Sequence, residues 1–312
     1  MLSRVADNIF WMSRYMERVK MLNKLLITNY IAIQDNAIHD NWKFILEEYG
    51  DKSNLKNKRL YSMSTTDILH HLITEKNNPS SIANCILLAR ENARSTQDHL
   101  TKEVWQSLNT FYHIIKKEEF QEQIKNSDPI EVMDEIDSKS YMYYGTLMST
   151  MDRGASYRFM RIGHYIERAL QTLQILSIKI KEIDYKIYDE NEVFSFRYLL
   201  YALSGYEFYG KTYRGELKTI NIINFSLFNH SFTNSVYYCL NGIKGELNKL
   251  KDETTVQAYS EIEYEIGRIL SNFVYNKPNW SDGRRLHIYL EELNLEISNI
   301  SVLFSKLYFG QL

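Results

Sequence analysis

The chain has 312 residues, of which 44% are hydrophobic and 24% charged, with a formal net charge of -2. That is enough apolar material for a large core or two packed halves. The charge balance excludes the basic excess expected of a nucleic-acid binder. No run of about 18 uncharged apolar residues is present, so no membrane span is expected. Three prolines over this length favour long uninterrupted helices.

Residues 3–33 read as one long helix. Ile9, Met12, Met16, Val19, Leu26 and Tyr30 form a stripe at helical spacing, and Trp11, Tyr15, Leu22 and Leu25 form a second beside it. Two stripes are too wide for a surface helix, so this helix is placed centrally. Arg4, Asp7 and Arg14 interrupt the apolar core that a secretory leader needs. A cytoplasmic location is expected. Residues 51–58 are polar and read as a loop, followed by a capping box, Ser64-Thr-Thr-Asp67.

Asn77-Asn-Pro-Ser-Ser81 breaks the chain and offers an N-cap for a helix over 82–98. Helical periodicity resumes over 101–124, and Ser127-Asp128-Pro129 starts another helix. Further helices are expected near 155–184, 191–209, 232–250, 256–275 and 283–309. The stretch 217–228 is open between helix and strand. The resulting fold class is all-α, a multi-helix bundle. Its single domain of 312 residues divides into two pseudo-repeated halves of about 1–150 and 151–312.

The repeat rests on Trp11-Met-Ser-Arg-Tyr-Met-Glu-Arg18, which returns degenerated as Arg161-Ile-Gly-His-Tyr-Ile-Glu-Arg168. Charge on a mostly apolar helix is costly and needs a cause. Glu17 lies three residues from Arg14, and Glu167 three from His164. Three readings stay open. The doublets Glu17-Arg18 and Glu167-Arg168 form a structural ion network, or an anion site for carboxylate or phosphate, or surface pairs. A second polar cluster is Arg90-Glu91-Asn92-Ala93-Arg94, where two arginines share a face unless an anion or carboxylate separates them. It reads as a solvated helix end or as a binding surface.

Other patterns carry less. Gly205-Tyr-Glu-Phe-Tyr-Gly-Lys-Thr212 matches the phosphate-loop spacing, but its bulky interior would block backbone contact with phosphates. The adjacent His70 and His71 point about 100° apart on a helix, and no histidine spacing suits a metal. No Gly-x-Ser-x-Gly elbow occurs. Asp134, Glu135 and Asp137 read as a solvated face, and Cys85 and Cys239 as buried reduced thiols. No metal or cofactor is expected.

The opening Met1-Leu-Ser-Arg-Val-Ala6, Trp11-Met12, Arg14-Tyr15 and Glu17-Arg18 resemble the bacterial alpha-E family. So do Asn78-Pro-Ser-Ser-Ile82, the Arg90 to Arg94 block, Trp105, Leu108-Asn109, Thr150-Met-Asp-Arg153, Gly163, Ile166-Glu-Arg-Ala169 and Ala202 to Arg214. Departures are His164 in place of the usual Arg, Lys20 in place of an acid, and Asn229-His-Ser-Phe232 in place of a Pro- and Arg-rich stretch. The resemblance implies an all-helical protein encoded beside, or fused to, circularly permuted ATP-grasp proteins and transglutaminase-like proteases. It implies a partner or substrate-binding module of an amide or peptide ligase system, and supplies no activity of its own. The alternatives are an enzyme with Glu17 or Glu167 as general base, and a scaffold whose doublets only lock helix register.

Overall fold

The structure is a computed structural model that describes residues 3–36, 42–51, 63–189, 192–251, 256–276 and 282–310. Among them are fourteen α-helices and no strand. In the first half they are α1 (Ser3–Gln34), α2 (Lys43–Tyr49), α3 (Thr65–Ile73), α4 (Ile82–Arg94), α5 (Lys102–Ile115), α6 (Glu118–Asn126) and α7 (Pro129–Thr150). The second half has α8 (Ala155–Glu182), α9 (Val193–Ala202), α10 (Tyr206–Thr212), α11 (Thr219–Phe228), α12 (Val236–Asn248), α13 (Val256–Tyr275) and α14 (Gly283–Leu307).

Local chemistry explains the boundaries. Ser64 caps α3 by accepting from Asp67 N, the first half of the capping box, and its hydroxyl donates to Asp67 Oδ2 at 2.7 Å. Ser81 caps α4, Thr101 caps α5 and Ser235 caps α12, each hydroxyl accepting a backbone N–H of the first turn. Asp128 caps α7, with Pro129 at a position that has no N–H to lose. The Asn77–Ser81 break is held from inside. Asn78 is fully buried, and its amide donates to Tyr49 O and His71 O.

Three expected helices end or break earlier. The 82–98 helix stops at Arg94, and a separate 3₁₀ turn covers Gln97–His99. The 101–124 helix breaks at Lys116-Lys117, where Lys117 turns extended and α6 starts anew. The 191–209 helix breaks at Ser204, whose positive φ of 53° reverses the chain before Gly205. Residues 217–228 resolve as helix α11. The expected loop at 51–58 lies outside the described residues beyond Asp51.

The chain divides into two compact units. One is Trp11–Asp152; the other is Arg153–Leu312 together with Met1–Phe10. In the first, α7 packs on α5 and is tied to α1 through Glu17, Asn23 and Lys24, α4 packs on α5, and α6 joins α3 to α7. Asn23 Nδ2 donates to Met133 O at 2.8 Å, and Lys24 pairs with Asp137 at 2.8 Å, which ties Asp137 into the α1–α7 seam. In the second unit, α8 is the centre, packed by α12 and α14, with α13 bridging those two. Every residue from Ile162 to Leu173 is buried, so α8 has no solvated face along that span. The first turns of α1 belong to this unit, where Phe10 stacks on Phe304 at 5.9 Å.

Candidate functional site

Consecutive helical residues point about 100° apart, so the two members of a Glu-Arg doublet cannot share an environment. Glu17 is wholly buried on α1, and Tyr144 Oη of α7 donates to its Oε2 at 2.6 Å. Charge-assisted bonds of this length are strong and offset part of the carboxylate's desolvation. Arg18 instead reaches the edge of the helix, half-buried, with its guanidinium 5.8 Å from the Tyr15 ring. Arg14 is buried and lies 4.4 Å from the Trp11 ring. The stripe of Trp11, Tyr15, Leu22 and Leu25 therefore splits. The two leucines are core, while the aromatic pair stays partly exposed and carries the arginines. Lys20 sits 5.4 Å from the rings of both Tyr141 and Tyr144. Tyr144 had no helical spacing or motif to single it out in sequence.

The second doublet lies in the other unit and is built differently. Glu167 is buried and accepts from Gln171 Nε2, one turn along α8, at 3.1 Å. Arg168 is buried as well, and its Nη1 donates to Thr233 O at 3.3 Å. Thr172 Oγ1 donates to Asn234 O at 2.8 Å, so the Arg168 face of α8 holds the turn before α12. His164 is buried with its ring against Tyr165. A neighbouring ion pair, Arg158 with Glu246 at 2.8 Å, joins α8 to α12.

The Arg90 cluster is a shelf on α4 and α5. Trp105, Asn109, Tyr112 and Lys116 recur at four- and three-residue spacing, so they line one face of α5. Arg90 lies across that face with its side chain 19% exposed. Its Nε donates to Asn109 Oδ1 at 2.8 Å and its Nη1 to Glu91 Oε1 at 2.7 Å. Its guanidinium is 4.6 Å from the Tyr112 ring and 5.6 Å from the Trp105 ring. Glu91 also holds Arg94 through two contacts of 2.9 and 2.7 Å. The carboxylate that the arginine spacing calls for is thus Glu91. Asn92 is half-buried, and its carbonyl accepts from Thr96 Oγ1. Arg94 is exposed, and Lys116 donates to Tyr112 Oη at 3.1 Å.

Other sequence patterns find structural explanations. Tyr206–Thr212 is helical, so no backbone loop wraps an anion there. Gly205 is small because a Cβ would meet the Phe232 ring at 2.7 Å. His71 accepts from Asp51 N at 3.4 Å, and no group of three or more acidic, His or Cys ligands forms among the described residues. A chain that sequence reasoning missed links Ser177 Oγ to His287 Nδ1 at 3.0 Å and His287 Nε2 to Glu291 at 3.1 Å. Ser177 is inside α8, where backbone N–H groups are spent on the helix ladder. Nothing there would hold an oxyanion. Also unforeseen is a groove of about 510 Å³ between α13 and α14, lined by Ile269, Phe273, Tyr289, Leu293, Leu295 and Glu296.

A family model, Alpha-E, described as a predicted alpha-helical domain with a conserved ER motif, matches residues 1–309. The chain belongs to the Alpha-E family. Its Glu-Arg doublets at 17–18 and 167–168 are where an ER motif can fall, and in both the glutamate is the more deeply buried member. No curated protein and no solved structure matches the chain. Among the described residues no helix is long and apolar enough to cross a membrane.

Proposed function

We propose that this Alpha-E chain is a non-catalytic partner or substrate-binding module of an amide- or peptide-forming ATP-grasp ligase system. Family membership supports the reading, because the resemblance implies members encoded beside circularly permuted ATP-grasp and transglutaminase-like proteins. ATP-grasp enzymes join carboxylates to amines, so a companion has carboxylate or phosphate groups to bind. The observation that carries the proposal is the partly exposed Arg90 guanidinium, held by Asn109 and Glu91 and walled by Trp105 and Tyr112. A guanidinium fixed by two neighbours offers its remaining Nη2 donor to an anion without further ordering.

A general-base role for Glu17 is disfavoured. The carboxylate has no exposed surface and already accepts the Tyr144 hydroxyl. That burial supports a structural role for the first doublet within the same module.

Affinity capture from a cell that expresses the neighbouring genes tests the proposal. An ATP-grasp protein should be retained, and the isolated chain should turn over no peptide or amide. Turnover by the isolated chain would replace this reading with the enzyme.

A further inference from the structure

We infer that the α4–α5 shelf of Arg90, Trp105, Asn109, Tyr112 and Lys116 is a binding site for a free carboxylate carried beside an apolar or aromatic group. The inference deepens the proposed function and rests on it for the biological source of that carboxylate. Its physical argument is internal to the chain.

The helices of the two halves keep a fixed register. α3, α4, α5 and α7 start at Thr65, Ile82, Lys102 and Pro129; α11, α12, α13 and α14 start at Thr219, Val236, Val256 and Gly283. Each later start falls 154 positions after the earlier one (236 minus 82, and likewise for the other pairs). The correspondence reaches single residues. Ser81 and Ser235 are both N-caps, as are Asp128 and Asp282, and Cys85 and Cys239 are both buried and free. The second half is therefore a control for the first. It shows which side chains this helical arrangement needs and which it does without.

Core positions agree between the copies. Ile82, Ile86 and Ala89 correspond to Val236, Leu240 and Ile243, and all six are fully buried. Arg90 keeps a cation at its matched position, Lys244, and Asn109 corresponds to Glu263, but the rest of the shelf changes character. Arg94 corresponds to Asn248, Glu91 to Gly245, Trp105 to Tyr259, Tyr112 to Ile266 and Lys116 to Leu270. Tyr259, Ile266 and Leu270 are buried, and Tyr259 Oη closes on Asn248 Oδ1 at 2.9 Å. In the second copy Tyr259, Ile266 and Leu270 are buried in place of the partly exposed Trp105 and Tyr112 and the exposed Lys116 of the first. The fold does not require Arg90, Arg94 and Lys116 together, so their arrangement calls for a ligand.

The shelf's chemistry sets the ligand class. Arg90 keeps its Nη2 free of any hydrogen bond among the described residues, and Trp105 likewise keeps its indole N–H. Both are donors, and Glu91 offsets one of the three cations. The remaining positive charge and the two free donors suit an anionic oxygen group, and a neighbouring apolar residue favours an organic carboxylate over inorganic phosphate. The exposed Leu87 stands one turn before Arg90 on the same face of α4. An apolar group next to the carboxylate would find contact there.

The test is titration of the full chain with N-acetyl-L-phenylalanine, its C-terminal amide and inorganic phosphate, followed through the Arg90 Nε–H and Trp105 indole N–H resonances. The acid should bind saturably and the amide should not. Arg90→Gln should weaken the acid about tenfold or more, Arg90→Lys should recover part of the loss, and Lys244→Gln at the matched position should leave binding unchanged. Equal binding of acid and amide, tighter binding of phosphate than of the acid, or equal losses in Arg90→Gln and Lys244→Gln would each overturn the assignment. A chain that binds the acid but retains no ATP-grasp protein overturns the ligase-system reading while this site stands.

Discussion

Tyr144 donates its hydroxyl to the fully buried carboxylate of Glu17 at 2.6 Å, across 127 positions of sequence. The pair fastens the middle of α1 to α7 and places an acid where water does not reach. Removing the donor leaves a buried anion short of a partner, which typically costs about 1–3 kcal/mol or more for a charged group. Tyr144→Phe should therefore lower the denaturation midpoint. Glu17→Ala is the harsher change, because it strips the Tyr144 hydroxyl of its buried acceptor and leaves a cavity, and should cost about 3 kcal/mol or more. Glu17→Gln should fall between wild type and Ala, since its carbonyl still accepts from Tyr144. Chemical denaturation of the three variants checks the order.

Lys179 and Glu182 form a second buried charge pair, 2.6 Å apart, with side chains 2% and 9% exposed. Pairs this dry contribute little net stability but are damaging to halve. Glu182→Ala should cost about 3–5 kcal/mol, whereas Lys179→Met combined with Glu182→Leu should come close to wild type. A double variant as unstable as the single would show that the pair does more than satisfy itself.

Gly283 opens α14 against the backbone of Tyr185, a residue at positive φ. A Cβ on Gly283 would lie 2.2 Å from Tyr185 O, an atom that cannot swing aside. Gly283→Ala should destabilise by about 1–3 kcal/mol. Gly267→Ala, where a Cβ meets nothing within 4 Å, should not destabilise and makes the comparison. Thermal melts of the two variants read the difference.

Burial lowers the pKa values of His71 and His287 below 6.5, against the opposing pull of Asp51 and Glu75 on the first and Glu291 on the second. Lys181 adds to the fall at His287, and His70 is lowered by burial and by Lys125. A histidine that resists protonation when folded binds fewer protons than in the unfolded chain. Stability is then full above about 6.5 and falls as pH drops from there toward the folded pKa values. Urea melts from about pH 7 to 5 should show a midpoint that falls with acidity, and His71→Gln should flatten that slope.

Legibility in the sequence followed the length and strength of each pattern. α1, α8, α13 and α14 are long and periodic, and their limits fall within two residues of expectation. The caps at Ser64, Ser81 and Pro129 were readable because a hydroxyl, carboxylate or proline acts on its own next turn. Breaks at Lys116-Lys117 and Ser204 were not, because a continuous apolar period hides a change of axis that only packing imposes. In the sites, Glu17 was visible as a charge out of place, and Arg90 through its doubled arginines. Their partners Tyr144, Asn109 and Tyr112 come from other helices, and no spacing within one element encodes them. The environment of Arg18 follows from helix geometry: with Glu17 turned to the core, its neighbour is carried to the helix edge.

The central claim is that this chain presents a carboxylate to a ligase and does no chemistry itself. It is tested most directly by combining the chain with an ATP-grasp protein encoded beside it and measuring amide formation from ATP, an acid and an amine. The account predicts product only with both proteins present, and a large loss when the chain carries Arg90→Gln. Product from the chain alone, or undiminished product with Arg90→Gln, would contradict it.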